Sequence, residues 1–214
     1  MQRGAKLGHR IGLASWLGWA VACGGDDEPG DDGASESGAV DGPGDDSSGG
    51  EPPAAADVPD IDYCADVAGW DEGWRAFERE VVERVNLARA HGGDCGNGGS
   101  FDATGPLAME SRLRCAARVH SLDMIQRGFF DHVNPDGLDP FDRIELAGYS
   151  FRASGENIAA GQTTPQEVVD GWLLSPGHCA NILSPDYTEI GVGYVFTQTD
   201  PLGHYWTQTF GTPL

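Results

Sequence analysis

The sequence predicts an α+β domain carried behind a long polar leader, and three observations predict it. Segments between Trp70 and Ser175 repeat apolar residues at three- and four-residue spacing. After Glu189 the pattern changes to short runs rich in β-branched and aromatic residues. Helices first and a hairpin last do not build the alternating units of a parallel sheet.

The 214 residues carry a net charge of −21, but the charge is segmental. No Lys or Arg lies between Arg10 and Arg75, whereas Asp and Glu recur throughout that stretch. Such a balance argues against nucleic acid as a partner.

The N-terminus reads as an export signal. Arg3, Lys6 and Arg10 precede "IGLASWLGWAVA", an apolar run shorter than the roughly 20 residues that a membrane span needs. Residues 1–23 then form a lipoprotein-type signal, because "AVAC" resembles a bacterial lipobox with Cys23 as the lipidated residue, although Ala20 stands where leucine is usual. The expected partner is a membrane reached through that lipid, and the expected location is the outer membrane or cell surface, with plain secretion as the alternative. Residues 24–60 are Gly, Asp, Ser, Pro, Ala and Glu with two valines, too apolar-poor to offset ordering entropy. They are expected to be a disordered acidic linker, with a reach of roughly 30–35 Å. The folded domain is expected over 61–214.

Within it, "WDEGWRAFEREVVERVNLARAHG" places Trp74, Phe77, Val81, Val85 and Ala88 on one helical face, and Gly92-Gly93 stops it. "PLAMESRLRCAARVHSLDMIQRG" reads as a second helix ending at Gly128, with His120 on its apolar stripe. "PFDRIELAGY" is a short helix closed by Gly148. "TPQEVVDGWLLS" has Thr164 as N-cap and Pro165 in the first turn. "EIGVGYVF" and "HYWTQTFG" form the antiparallel hairpin.

Three contexts could carry chemistry. His132 follows two aromatics in "GFFDHVNPDG", Glu156 sits among small residues in "SGENIAAG", and His178 opens a helix in "SPGHCANIL". A buried carboxylate needs partners, and histidines are natural ones. Two imidazoles and a carboxylate suit a zinc ion with an open position, or a proton-relay cluster. Spacing alone does not bring the three together. His120 fits a packed core histidine better than a ligand, and His204 fits strand packing. No Gly-x-Ser-x-Gly elbow, His-Glu-x-x-His helix or phosphate-cradling loop is present. Apart from Cys23, the cysteines number four: Cys64, Cys95, Cys115 and Cys179. An even count in an exported chain suggests two disulfides, and three pairings are open.

Taken in order, "GFFDHVNPDG", "SGENIAAG", "SPGHCANILSPDYTEIGVGY" and "YWTQTFG" resemble the bacterial branch of the CAP superfamily over about residues 76 to 211. This superfamily is also called SCP-like and includes the cysteine-rich secretory proteins, antigen 5 and the pathogenesis-related proteins. The resemblance implies an α-β-α sandwich with a small antiparallel sheet between helices. It implies a cleft holding His132, His178 and Glu156, with His120 as a secondary candidate. It also implies a Cys95–Cys179 pair, which leaves Cys64 with Cys115. The second glutamate of the eukaryotic branch is missing, since Leu173 follows Trp172. The function implied is a binding module of the envelope or extracellular space, with a lipid or protein ligand and with His132, His178 and Glu156 as candidate ligands to Zn²⁺ or another divalent cation. The alternatives are a metal-assisted hydrolase with Glu156 as base, or a structural domain with an inert cleft.

Overall fold

The computed structural model describes residues 57–214. The signal segment, Cys23 and the linker up to residue 56 lie outside the described residues. A single helical turn and α1 (Ala65–Ala68) lead into α2 (Glu72–His91). Two short strands, β1 (Gly93–Asp94) and β2 (Ser100–Phe101), pair beside it, and β3 (Ala108–Met109) precedes α3 (Ser111–Arg127). Then come α4 (Pro140–Leu146), β4 (Phe151–Ala160), α5 (Pro165–Leu174), α6 (Pro176–Leu183), β5 (Glu189–Phe196) and β6 (His204–Pro213).

The helix ends follow from local chemistry. Asp71 caps α2 by accepting from the Trp74 amide, and Gly92 ends it at φ 67°. Asp139 and Asp142 cap α4 reciprocally, and the Thr164 hydroxyl caps α5. The second helix starts later than its composition suggests. The Glu110 carboxylate accepts from the amides of Arg112 and Leu113, so the helix opens at Ser111. Ala108 and Met109, upstream of that cap, run parallel to β5 instead.

The main sheet has the order β3-β5-β6-β4. β5, β6 and β4 run antiparallel, and the two-residue β3 joins the β5 edge in parallel. The hairpin β5–β6 pairs in unbroken register from Glu189↔Gly211 to Phe196↔His204. Alternation along its strands sorts the two faces. Ile190, Val192, Tyr194, Trp206 and Phe210 pack with Val81 and Val85 of α2, Trp172 of α5 and Ile182 of α6. Val195, Tyr205 and Ile158 pack with Leu113 and Cys115 of α3 and Ile144 of α4. The result is an α-β-α sandwich.

Where α3 crosses β5, two glycines leave the sheet without side chains. A Cβ on Gly191 would collide with the Leu113 backbone, and one on Gly193 with the Ala117 backbone. The helix meets this face through Ala116, Ala117 and Ser121, whose hydroxyl donates to the Gly193 carbonyl at 2.9 Å. Cys64–Cys115 and Cys95–Cys179 are disulfides with Cα separations of 5.7 and 5.6 Å. The first fastens the N-terminal segment to α3, the second fastens α6 to the β1–β2 loop.

Packed residues also occur upstream of Ile61. Val58 is 5% exposed, and Asp57 forms ion pairs with Arg75, Arg114 and Arg118. Arg118 in turn clamps the buried Glu78 through Nε at 2.9 Å and Nη2 at 2.5 Å. Apolar patterning cannot see such an anchor, because it is built from charges at distant sequence positions.

Gly193→Ala forces overpacking against helix backbone and should destabilise the chain by about 3 kcal/mol. Gly105→Ala, where a Cβ meets nothing within 4 Å, serves as the control and should stay within about 0.5 kcal/mol. Equal midpoints in urea for the two variants would refute the close-approach argument.

Candidate functional site

The site is assembled around the outer edge of β4. Glu156 and Asn157 are neighbours on that strand, so they face opposite layers. Gly155 before them is required, because a Cβ there would lie 2.6 Å from the Tyr187 hydroxyl. The three outward carbonyls of the edge are each covered by a side chain. Tyr187 donates to Ser154, Asn181 to Glu156 and the Trp172 indole to Ile158, at 3.2, 3.3 and 3.2 Å. That capping blunts the edge against strand addition.

Glu156 faces the α3–α4 layer, and its carboxylate is 1% exposed. Arg143 of α4, also buried, donates from Nη2 to Oε2 at 2.7 Å. His132 donates from Nδ1 to Oε1 at 2.8 Å. Both oxygens are engaged, which stabilises an ionised buried carboxylate through charge-assisted bonds. The same Arg143 holds the carbonyls of His132 and Leu138 through Nη1, at 2.9 and 2.8 Å. It therefore supplies the countercharge and also seats the loop that carries the histidine.

His120 completes this layer. It is fully buried, and its Nε2–H donates to the Asp131 carbonyl at 3.0 Å, with Glu156 Oε1 3.9 Å away. Its Nδ1 is buried without a partner. Protonation there would place a charge in apolar surroundings, and burial lowers the pKa to about 4. The Asp131 carboxylate accepts from the Val133 amide within its own loop.

On the other face, the Asn157 amide donates to the His178 carbonyl at 3.2 Å and the Asn181 amide donates to Asn157 Oδ1 at 2.9 Å. These bonds tie the first turn of α6 to β4. His178, partly buried, lines an open groove of about 340 Å³ with Phe130, Ile158, Ala160, Val168 and Trp172. The two cleft histidines differ in charge preference. The bond to Glu156 raises the pKa of His132, while burial and then the charge of His132 lower that of His178. His204 stays outside the site. It packs on Phe196 and its Nδ1 meets the Tyr194 hydroxyl at 2.7 Å.

The structure thus joins His132, Glu156 and His120 directly and brings His178 within charge range of His132. No group of three His, Cys, Asp or Glu among the described residues is arranged to hold a metal ion. The Glu156 oxygens accept instead from Arg143 and His132, one bond to each. Arg143 went unnoticed in the sequence because an arginine in the short helix "PFDRIEL" reads as a solvated cation. Its one signal was the demand of a buried glutamate for a full countercharge.

Two outcomes follow. Glu156→Gln leaves Arg143 buried without its anion and should cost about 3–5 kcal/mol in chemical denaturation. His120 has a folded pKa below its unfolded value, so the unfolded chain binds the extra proton between pH 6.5 and about 4. Stability should fall as pH drops through that window, by up to about 3 kcal/mol more than in His120→Gln. Parallel pH profiles for the two proteins would contradict this.

A family model described as the CAP, or cysteine-rich secretory protein, family matches residues 82–210. The Bacillus subtilis (strain 168) protein YkwD is 42% identical over 135 residues, covering 63% of this chain and 47% of YkwD. The membrane protein YlbC of the same organism is 31% identical over 127 residues, 58% of this chain and 34% of YlbC. The chain spans half or less of the length of these relatives. An extracellular protein containing an SCP domain from Bacillus anthracis aligns with TM-score 0.54 and 28% identity, covering 64% of this chain and 40% of that one. An outer surface protein from Borrelia burgdorferi aligns with TM-score 0.53 and 20% identity, covering 67% and 95%, a likeness of fold alone. The chain belongs to the cysteine-rich secretory protein (CAP) family, on its bacterial branch.

Proposed function

We propose that this chain is an exported CAP-domain binding module, held at the cell envelope by a lipid on Cys23 and taking a ligand in the cleft between His132 and His178. One observation carries the choice of binding over hydrolysis: both oxygens of Glu156 are already committed to Arg143 and His132. A general base must reach the proton it removes, and a zinc ligand must offer a free lone pair. Acting as base or ligand would draw Glu156 charge away from a buried guanidinium that has no other anion within bonding distance among the described residues, which disfavours either role. His132 donates from Nδ1 to the carboxylate, which favours its protonated form, and the protonated ring presents Nε2–H to a ligand acceptor. The apolar groove ending at His178 supplies contact for a ligand's hydrocarbon part, whether that belongs to a lipid or to a protein side chain. Similarity to a protein described as extracellular supports the location.

Octanoate, which joins an acceptor group to a short apolar chain, is a suitable probe. Titrated into the full chain, it should move the ring signals of His132 and His178 saturably in NMR spectra. The accompanying shift of the indole signal of Trp172, which lines the same groove, should vanish in His132→Ala/His178→Ala. Zinc titrated by calorimetry at neutral pH should bind weakly. Tight one-to-one zinc binding that disappears in the double variant would overturn this reading in favour of the metal-assisted hydrolase.

A further inference from the structure

A second groove lies away from the histidine cleft, between α1 and α3. Two adjoining hollows of about 650 and 250 Å³ share Asp66, Leu122 and Gln126. Trp70 and Trp74 line the larger one, and Tyr63 lines the smaller. Trp70 itself is 7% exposed and lies under Arg118, so it acts as the backing on which Trp74 stands, edge to face at 5.1 Å. Trp74 is only partly buried, and its indole N–H bonds no residue among those described.

Two exposed polar groups along this groove are unspent, while Asp71, Asp123, Asn134 and Asp136 are engaged by their neighbours. The side chains of Asp66 and Gln126 are exposed and make no hydrogen bond or ion pair among the described residues. The Tyr63 hydroxyl is buried without any partner. Burial pushes its pKa up to about 12, so it remains a neutral donor. Both walls are rigid, since Cys64–Cys115 bonds the segment before α1 to α3 and Val67 is fully buried between them. A preformed groove loses little entropy on binding.

We propose that this groove binds an uncharged saccharide chain of flat, β-linked pyranose units. The reasoning is chemical. An indole offers an apolar face to the C–H side of a pyranose ring, and such aromatic surface is a large contributor to binding. Sugar hydroxyls both donate and accept, which suits a carboxylate acceptor and an amide with both functions. The free carboxylate of Asp66, with Asp71 and Asp123 beside it, disfavours acidic sugars.

The test uses the full chain and a β-1,4-linked tetramer of N-acetylglucosamine, followed by NMR of the Trp74 indole and Gln126 amide signals. Saturable shifts with a Kd on the order of 1 mM or tighter are expected. They should weaken at least tenfold in Asp66→Ala/Gln126→Ala, whose replaced side chains are exposed and support no other contact. They should persist in His132→Ala, which separates this groove from the cleft. A uronate-bearing tetramer should bind more weakly. Absence of saturable shifts with the neutral tetramer would overturn the proposal, as would full retention of binding in the double variant.

Discussion

The close approach of α3 to the glycine face of the sheet sets the position of nearly everything else. Gly191 and Gly193 remove the side chains that would hold a helix away, and Ala116, Ala117 and Ser121 do the same from the helix side. Packing at that distance leaves no room for an ordinary hydrophobic layer in the middle of this interface. Polar groups fill it: Ser121 bridges to Gly193 and to Thr207, and the Thr209 hydroxyl donates to the Leu113 carbonyl. One turn further along, the same approach carries the imidazole of His120 to within 3.9 Å of Glu156. The site is a consequence of the packing, not an addition to it.

From that constraint the cleft takes two unlike halves. On the α3–α4 side a buried anion is neutralised by a buried arginine, and the loop between the helices is seated by donors reaching its carbonyls from below. On the other side an Asn157–Asn181 link joins the strand to α6 without any charge. His132 belongs to the charged half and His178 to the neutral half, which accounts for the opposite directions of their pKa shifts. The missing second glutamate is consistent with this division. With Leu173 after Trp172, nothing acidic adjoins the His178 side from α5.

Much of this was legible in the sequence where the physics is local. Caps at Thr164, stops at Gly92 and Gly128, and the period change into the hairpin all depend on neighbours within a few residues. The need of Glu156 for partners was legible too, because its small-residue setting left no room for solvation. What escaped was long-range. Ala108 and Met109 look helical until β5 offers them a ladder, and Asp57 looks like linker until three arginines from two helices converge on it. Arg143 escaped for the same reason: a buried cation is recognisable only when its anion, on another element, is known.

The account rests on the Glu156 carboxylate bonding both Arg143 and His132. Ring-proton NMR of the full chain from pH 4 to 9 tests this directly. His132 should titrate above the usual value of about 6.5 and His178 below it. If instead His132 titrates at or below the usual value, Glu156 is not committed to it. The carboxylate would then be available as a base or a ligand, and the binding-module reading would lose its foundation.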